Sequence, residues 1–212
     1  MPKPIAIVVV SLLALTAAGA EESEDTFRSE IAGIELSKPS GWQFQTLETI
    51  ARHRADVKMK DEELQRVIQE LATAPLVVAT KHPEPYDSLN PSFQALVRPL
   101  GGNQGVTGSQ VLEAVVPTLE SGFADFRLVE EITKIEVDGV PGARLSAEYT
   151  VQGPDGTVYP TRATIVVVPR GSFLYQFSFS APPTGSDALT DEVEGTLSSV
   201  VFLDVAAETP QP

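Results

Sequence analysis

The chain has two histidines and no cysteine, and these counts bound most of the chemistry it could perform. Without thiols there is no disulfide, no cysteine nucleophile and no thiolate metal site. Two histidines cannot make a zinc centre of three or four His and Cys ligands without recruiting carboxylates, and no H-E-x-x-H or C-x-x-C spacing occurs. Calcium takes oxygen ligands, which an acidic chain supplies, yet no D-x-D/N-x-D/N-G loop is present. The glycines at 101, 102, 105 and 108 are not followed by a lysine at the phosphate-loop spacing, and the G-x-S-x-G elbow of serine hydrolases is absent. The sequence therefore leads us to expect no metal, no cofactor and no catalytic residue set.

One segment keeps a chemical option open. His82 lies in the proline-rich stretch Lys81 to Pro91, near Asp87 and Ser88, so a Ser/His/Asp arrangement there is geometrically conceivable. The alternative reading of the chain is accordingly an exported hydrolase using His82. The main reading makes the same stretch a contact loop. Prolines at 83, 85 and 91 reduce the entropy lost on binding, Tyr86 offers a large amphipathic surface, and His82, Asp87 and Asn90 can orient a ligand by hydrogen bonds. The Gly101–Gly105 connection is expected beside it. Read structurally, the loop is only a stiff connector. His53, between Arg52 and Arg54, belongs to a small basic surface patch. Glu130 and Glu131 are expected on a strand, where neighbours point to opposite faces and cannot share a substrate.

These residues need elements to hold them. A polar leader, residues 21–30, precedes the alternation Ile34-Glu35-Leu36, which predicts a first strand. Pro39-Ser40-Gly41 is a turn, and Trp42 and Phe44 alternate with glutamines in a second strand expected to pair with the first, its tryptophan in the core. A helix opens at Asp61-Glu62-Glu63, with Leu64, Val67, Ile68 and Leu71 on one stripe. Strands follow at Leu76 to Ala79 and Phe93 to Val97. Thr107 and Gln110 have capping-box spacing for a helix carrying Val111, Leu112, Val115 and Leu119, which Pro117 should kink or end.

Beyond Arg127 the period becomes two, broken by turns at Asp138-Gly139-Val140-Pro141-Gly142 and Gly153-Pro154-Asp155-Gly156. Ala143, Leu145 and Ala147 are expected inside, with Arg144, Ser146 and Glu148 facing solvent. Strands at Thr157 to Val168 and Phe173 to Ser180 complete an antiparallel meander, with Phe173, Tyr175, Phe177 and Phe179 in the core. A final helix near Ser186-Asp187, striped by Leu189, Val193, Leu197 and Val200, should cross this sheet. Residues 205–212 are expected to be a disordered tail.

Lys3, the apolar run Ile5 to Leu15 and the small residues Ala18-Gly19-Ala20 predict a signal peptide, residues 1–20, cleaved after Ala20. The run is about eleven residues, short of the roughly 20 that span a bilayer, so no stable membrane insertion is expected after cleavage. The chain's formal charge of −14 repels polyanions, which excludes nucleic acid as a partner. The destination is periplasmic or secreted.

Two stretches carry a family likeness. Gly33-Ile34-Glu35-Leu36-Ser37-Lys38-Pro39-Ser40-Gly41-Trp42 resembles the opening of the PsbP-like group, which includes bacterial DcrB-type envelope proteins. Phe177 to Ala181, the helix after it and Leu197-Ser198-Ser199-Val200-Val201-Phe202 resemble that group's closing strand, helix and end. The resemblance implies an α+β domain over residues 31–204 with a central antiparallel sheet flanked by helices, the PsbP-like αβα sandwich. It also implies a non-enzymatic binding or assembly accessory protein of the cell envelope. Its partner would be an envelope protein or a small ligand.

Overall fold

The computed structural model describes residues 20–22, 25–46, 75–101, 103, 105–153, 155–184 and 189–204. The predicted leader up to Gly19, the helix opening at Asp61, the basic patch around His53, the Ser186-Asp187 helix start and the tail lie outside them.

Two antiparallel sheets form the body. The small one has the order β1 (Ala20–Glu22), β2 (Thr26–Ser29), β3 (Ile34–Ser37) and β12 (Val201–Phe202). The large one runs β4 (Gln43–Phe44), β5 (Val77–Thr80), β6 (Ser92–Pro99), β11 (Phe173–Ala181), β10 (Val158–Arg170), β9 (Val140–Gln152) and β7 (Ala124–Leu128), with β8 (Thr133–Val137) also paired to β9. Helix α1 (Gly108–Gly122) lies on one face of the large sheet. The small sheet and helix α2 (Thr190–Ser198) share the other. The expected sheet flanked by helices is thus modified, because one flank is largely a second sheet.

The main core lies between the sheets. Phe27, Ile34, Leu36 and Phe202 meet Phe93, Val166, Tyr175, Phe177 and Phe179, and Val193 and Leu197 of α2 close one side. Tyr175 fixes the two layers in register: its hydroxyl donates to the Ala32 carbonyl at 2.9 Å, and burial pushes the phenol pKa up, so the donor stays protonated. A smaller cluster of Leu112, Ala143, Leu145 and Val167 seats α1.

Several local expectations hold. Gly41, at positive φ, makes the turn after Pro39, and Trp42 is buried. Thr107 and Gln110 form a reciprocal capping box. Asp138 and Gly139 both have positive φ and close the two-residue β8–β9 hairpin, as a primed turn requires. The Asp138 carboxylate then accepts from the Phe202 amide at 2.8 Å, tying this hairpin to the small sheet.

Others are corrected. The stretch read as a polar leader contributes β1 and β2, whose Phe27 and Ser29 are buried. The Trp42-Phe44 strand joins β5 in the large sheet instead of pairing with β3. Pro117 does not end α1, because it lies on the exposed face, where water can take the carbonyl left without an amide. Glu130 and Glu131 sit in the bend between β7 and β8, not on a strand.

Candidate functional site

The predicted loop is a closed, self-bonded structure. Its ends meet where Lys81 N donates to Pro91 O at 2.9 Å. Inside, Asn90 works as a double clip on His82: its Oδ1 accepts from His82 N at 3.1 Å and its Nδ2 donates to His82 O at 2.9 Å. The same Nδ2 donates to Glu84 Oε1 at 2.7 Å, and Glu84 Oε2 accepts from Tyr86 N at 3.2 Å. The His82 and Tyr86 rings stack, with centroids 4.5 Å apart and planes 14° off parallel.

The loop thus brings together three of the four predicted residues. Tyr86 is exposed, Asp87 is exposed and makes no hydrogen bond among the described residues, and no described hydroxyl or carboxylate bonds the His82 ring. The Gly101–Gly105 connection is not beside this loop. It follows the far end of β6, an eight-residue strand that puts about 25 Å between them.

The polar groups of Asn90 are used within the loop, so its replacement should act on stability. Asn90→Ala should cost about 1–2 kcal/mol and lower Tm, by the loss of three part-buried hydrogen bonds. Tyr86→Ala, removing an exposed ring, should cost less than about 1 kcal/mol. Thermal melts of the two single variants check this. An Asn90→Ala protein that melts with the wild type would show that the Asn90 clip contributes nothing.

A second feature comes from strand register. One row across the large sheet runs Val77, Ala95, Phe177, Val166, Arg144, and the next runs Ala79, Phe93, Phe179, Thr164, Ser146. Both rows are apolar over β5, β6 and β11 and turn polar at β10 or β9. Arg162 and Glu148 continue the polar block one pair further along. This is the face expected to look at solvent. It instead floors a cleft of about 150 Å³ walled by Phe179, Leu189 and Val193, with Glu130 and Glu194 at its edge. Ser146 is 8% exposed.

Helix α2 stands between loop and cleft. Residues 192 and 194 are about 200° apart around a helix, so they point to opposite flanks. Glu192 pairs with Lys81 at the root of the loop at 3.1 Å, and Glu194 pairs with Arg144 in the cleft at 2.6 Å. Val193, between them, turns down into the core. Arg144 remains under-used: its buried Nε has no hydrogen-bond partner, a state that costs about 1–3 kcal/mol unless something fills it. Neither Arg144 nor the cleft is apparent from residue types. The signal available was the pairing of the Arg144-Ser146 and Arg162-Thr164 alternations in adjacent strands of the meander.

Among the described residues no three His, Asp or Glu side chains gather as a metal-binding group would. No described helix is long and apolar enough to cross a membrane.

The fold is PsbP-like by its likeness to solved structures. Solved structures similar to it include LpqN of Mycobacterium tuberculosis, described as involved in cell envelope biogenesis, with 16% identity, a TM-score of 0.52 and coverage of 81% of this chain and 83% of that one. Cyanobacterial PsbP (CyanoP) from Synechocystis sp. PCC 6803 matches with 15% identity and a TM-score of 0.50, covering 91% of this chain and 98% of that one. No protein-family model matches the chain, and no curated protein matches it.

Proposed function

We propose that this chain is an exported, non-enzymatic binding or assembly accessory protein of the cell envelope, of the DcrB-type within the PsbP-like fold. The observation that carries the reading is the cleft beside α2. A half-used arginine over an apolar wall is a recognition arrangement, and the described residues around it pair no nucleophile with a base. The N-terminal sequence supports export, and the envelope role described for LpqN supports the compartment. The 81–91 loop, on the other flank of α2, is a candidate surface for a protein partner.

Expressed in a bacterial host, the full chain should be recovered from the exported fraction with Glu21 at its N-terminus by intact-mass analysis. That protein should hydrolyse chromogenic ester, amide and phosphate-ester probes no faster than buffer does, and His82→Ala should change nothing. Full-length chain held in the membrane fraction overturns export. Turnover that His82→Ala abolishes overturns the non-enzymatic reading and establishes the hydrolase.

A further inference from the structure

The cleft beside α2 has features that select a ligand class. Its lining holds two arginines, Arg144 and Arg162, against two glutamates, Glu130 and Glu194, so it is formally neutral in a chain of net charge −14. Arg144 is 24% exposed, binds Glu194 through one Nη and leaves its buried Nε without a partner. Glu194 is 50% exposed and reaches in from the rim of α2. A half-exposed ion pair of this kind contributes little to stability. One carboxylate can therefore replace another on Arg144 at small cost.

An incoming carboxylate gains what Glu194 cannot provide. Phe179, Leu189 and Val193, at 5%, 9% and 8% exposure, show only their edges to the cleft, and an apolar body beside the guanidinium would cover that remaining surface. Ser146 and Thr164 flank the same floor with hydroxyls. Glu130 and Glu194 at the edge disfavour a second negative charge, which selects a monoanion over phosphate. The volume, about 150 Å³, matches that of a cavity that holds benzene, so the cleft takes about six non-hydrogen atoms of a ligand.

We propose that this cleft binds a small amphiphilic carboxylate, its head on Arg144 in place of Glu194 and its apolar body against Phe179, Leu189 and Val193. The proposal rests on the binding reading above, whose own failure appears as His82-dependent turnover and is separate from the titration that follows.

Hexanoate is the probe, titrated into the exported protein and followed by amide NMR shifts, with hexylammonium and inorganic phosphate as comparisons. Hexanoate should give saturable shifts at residues 144–146, 164 and 189–194, with both comparison probes at least about tenfold weaker. Arg144→Gln should weaken hexanoate by about tenfold or more, and Glu194→Gln, which removes the competing charge, should tighten it severalfold. Glu194 is on the rim, so that variant keeps the test decisive even where Arg144→Gln fails to fold. Absence of saturable shifts at the cleft overturns the proposal. So does binding that a folded Arg144→Gln leaves unchanged, phosphate binding as tight as hexanoate, or a Glu194→Gln protein that binds hexanoate more weakly.

Discussion

Trp42→Ala should lower the free energy of unfolding by about 3–5 kcal/mol, the cost of emptying a large aromatic site in a packed core. Trp42 is 4% exposed and belongs to the main cluster between the sheets. It follows the Pro39–Gly41 turn directly, with its own amide donating to Pro39 O at 3.1 Å, so the backbone has little freedom to collapse into the space the ring leaves. Trp42→Phe separates volume from polarity. The indole Nε1–H is buried without a partner, and deleting it removes a penalty of about 1–3 kcal/mol while the phenyl ring keeps much of the apolar contact. Trp42→Phe should therefore cost less than half as much as Trp42→Ala. Urea unfolding followed by far-UV circular dichroism reads both, since Trp42 is the only tryptophan and fluorescence would be lost with it. A Trp42→Ala change within about 0.5 kcal/mol would mean that the ring contributes nothing to the core.

What could be read from the sequence follows the range of the interactions involved. The Thr107-Gln110 box, the Pro39–Gly41 turn and the Asp138-Gly139 hairpin are decided within a few residues, and each was legible. Alternation along β11 gave its buried face, because period two requires nothing beyond the strand itself. Partner choice is another matter. The Gln43–Phe44 strand pairs with β5 rather than β3, a choice of long-range partner that its own alternation does not specify. The strand Thr26–Ser29 was hidden by its polar composition, since Phe27 is its one large apolar residue.

The same division explains the candidate sites. His82, Tyr86 and Asn90 drew notice by residue type within one short segment, and the fold brings them together. Residue type could not reveal that Asn90 uses its amide to close the loop on itself. The cleft does not show in the sequence, because alternation assigns Arg144 and Ser146 to solvent. They are covered because β9 extends beyond the apolar rows of β5, β6 and β11, to where α2 crosses the sheet. Finding it requires the register of four strands together with the position of a helix.

Two glycines at the contact between α1 and the large sheet give the second large effect. A Cβ on Gly108 would sit 2.7 Å from Ala143 N and 3.0 Å from Val167 O, and one on Gly142 would sit 2.7 Å from Val167 O. All three contacts fall on two backbone atoms, one of β9 and one of β10, which cannot turn aside as a side chain end can. Two opposing effects meet at Gly108, the first residue of α1: alanine is up to about 1 kcal/mol the better helix former, while overpacking against backbone costs about 1–3 kcal/mol or more. The steric cost wins, because relief requires α1 to lift off Leu145 and Val167 and lose the burial of Leu112. Gly108→Ala and Gly142→Ala should each destabilise by at least about 2 kcal/mol. Gly195 in α2 supplies the opposite case, being exposed, at ordinary φ, with nothing within 4 Å of a built Cβ. Gly195→Ala should stabilise by about 0.5–1 kcal/mol through helix propensity alone. Chemical denaturation of the three variants tests the contrast in sign, and a Gly108→Ala protein as stable as wild type would show that α1 does not pack this closely on β9 and β10.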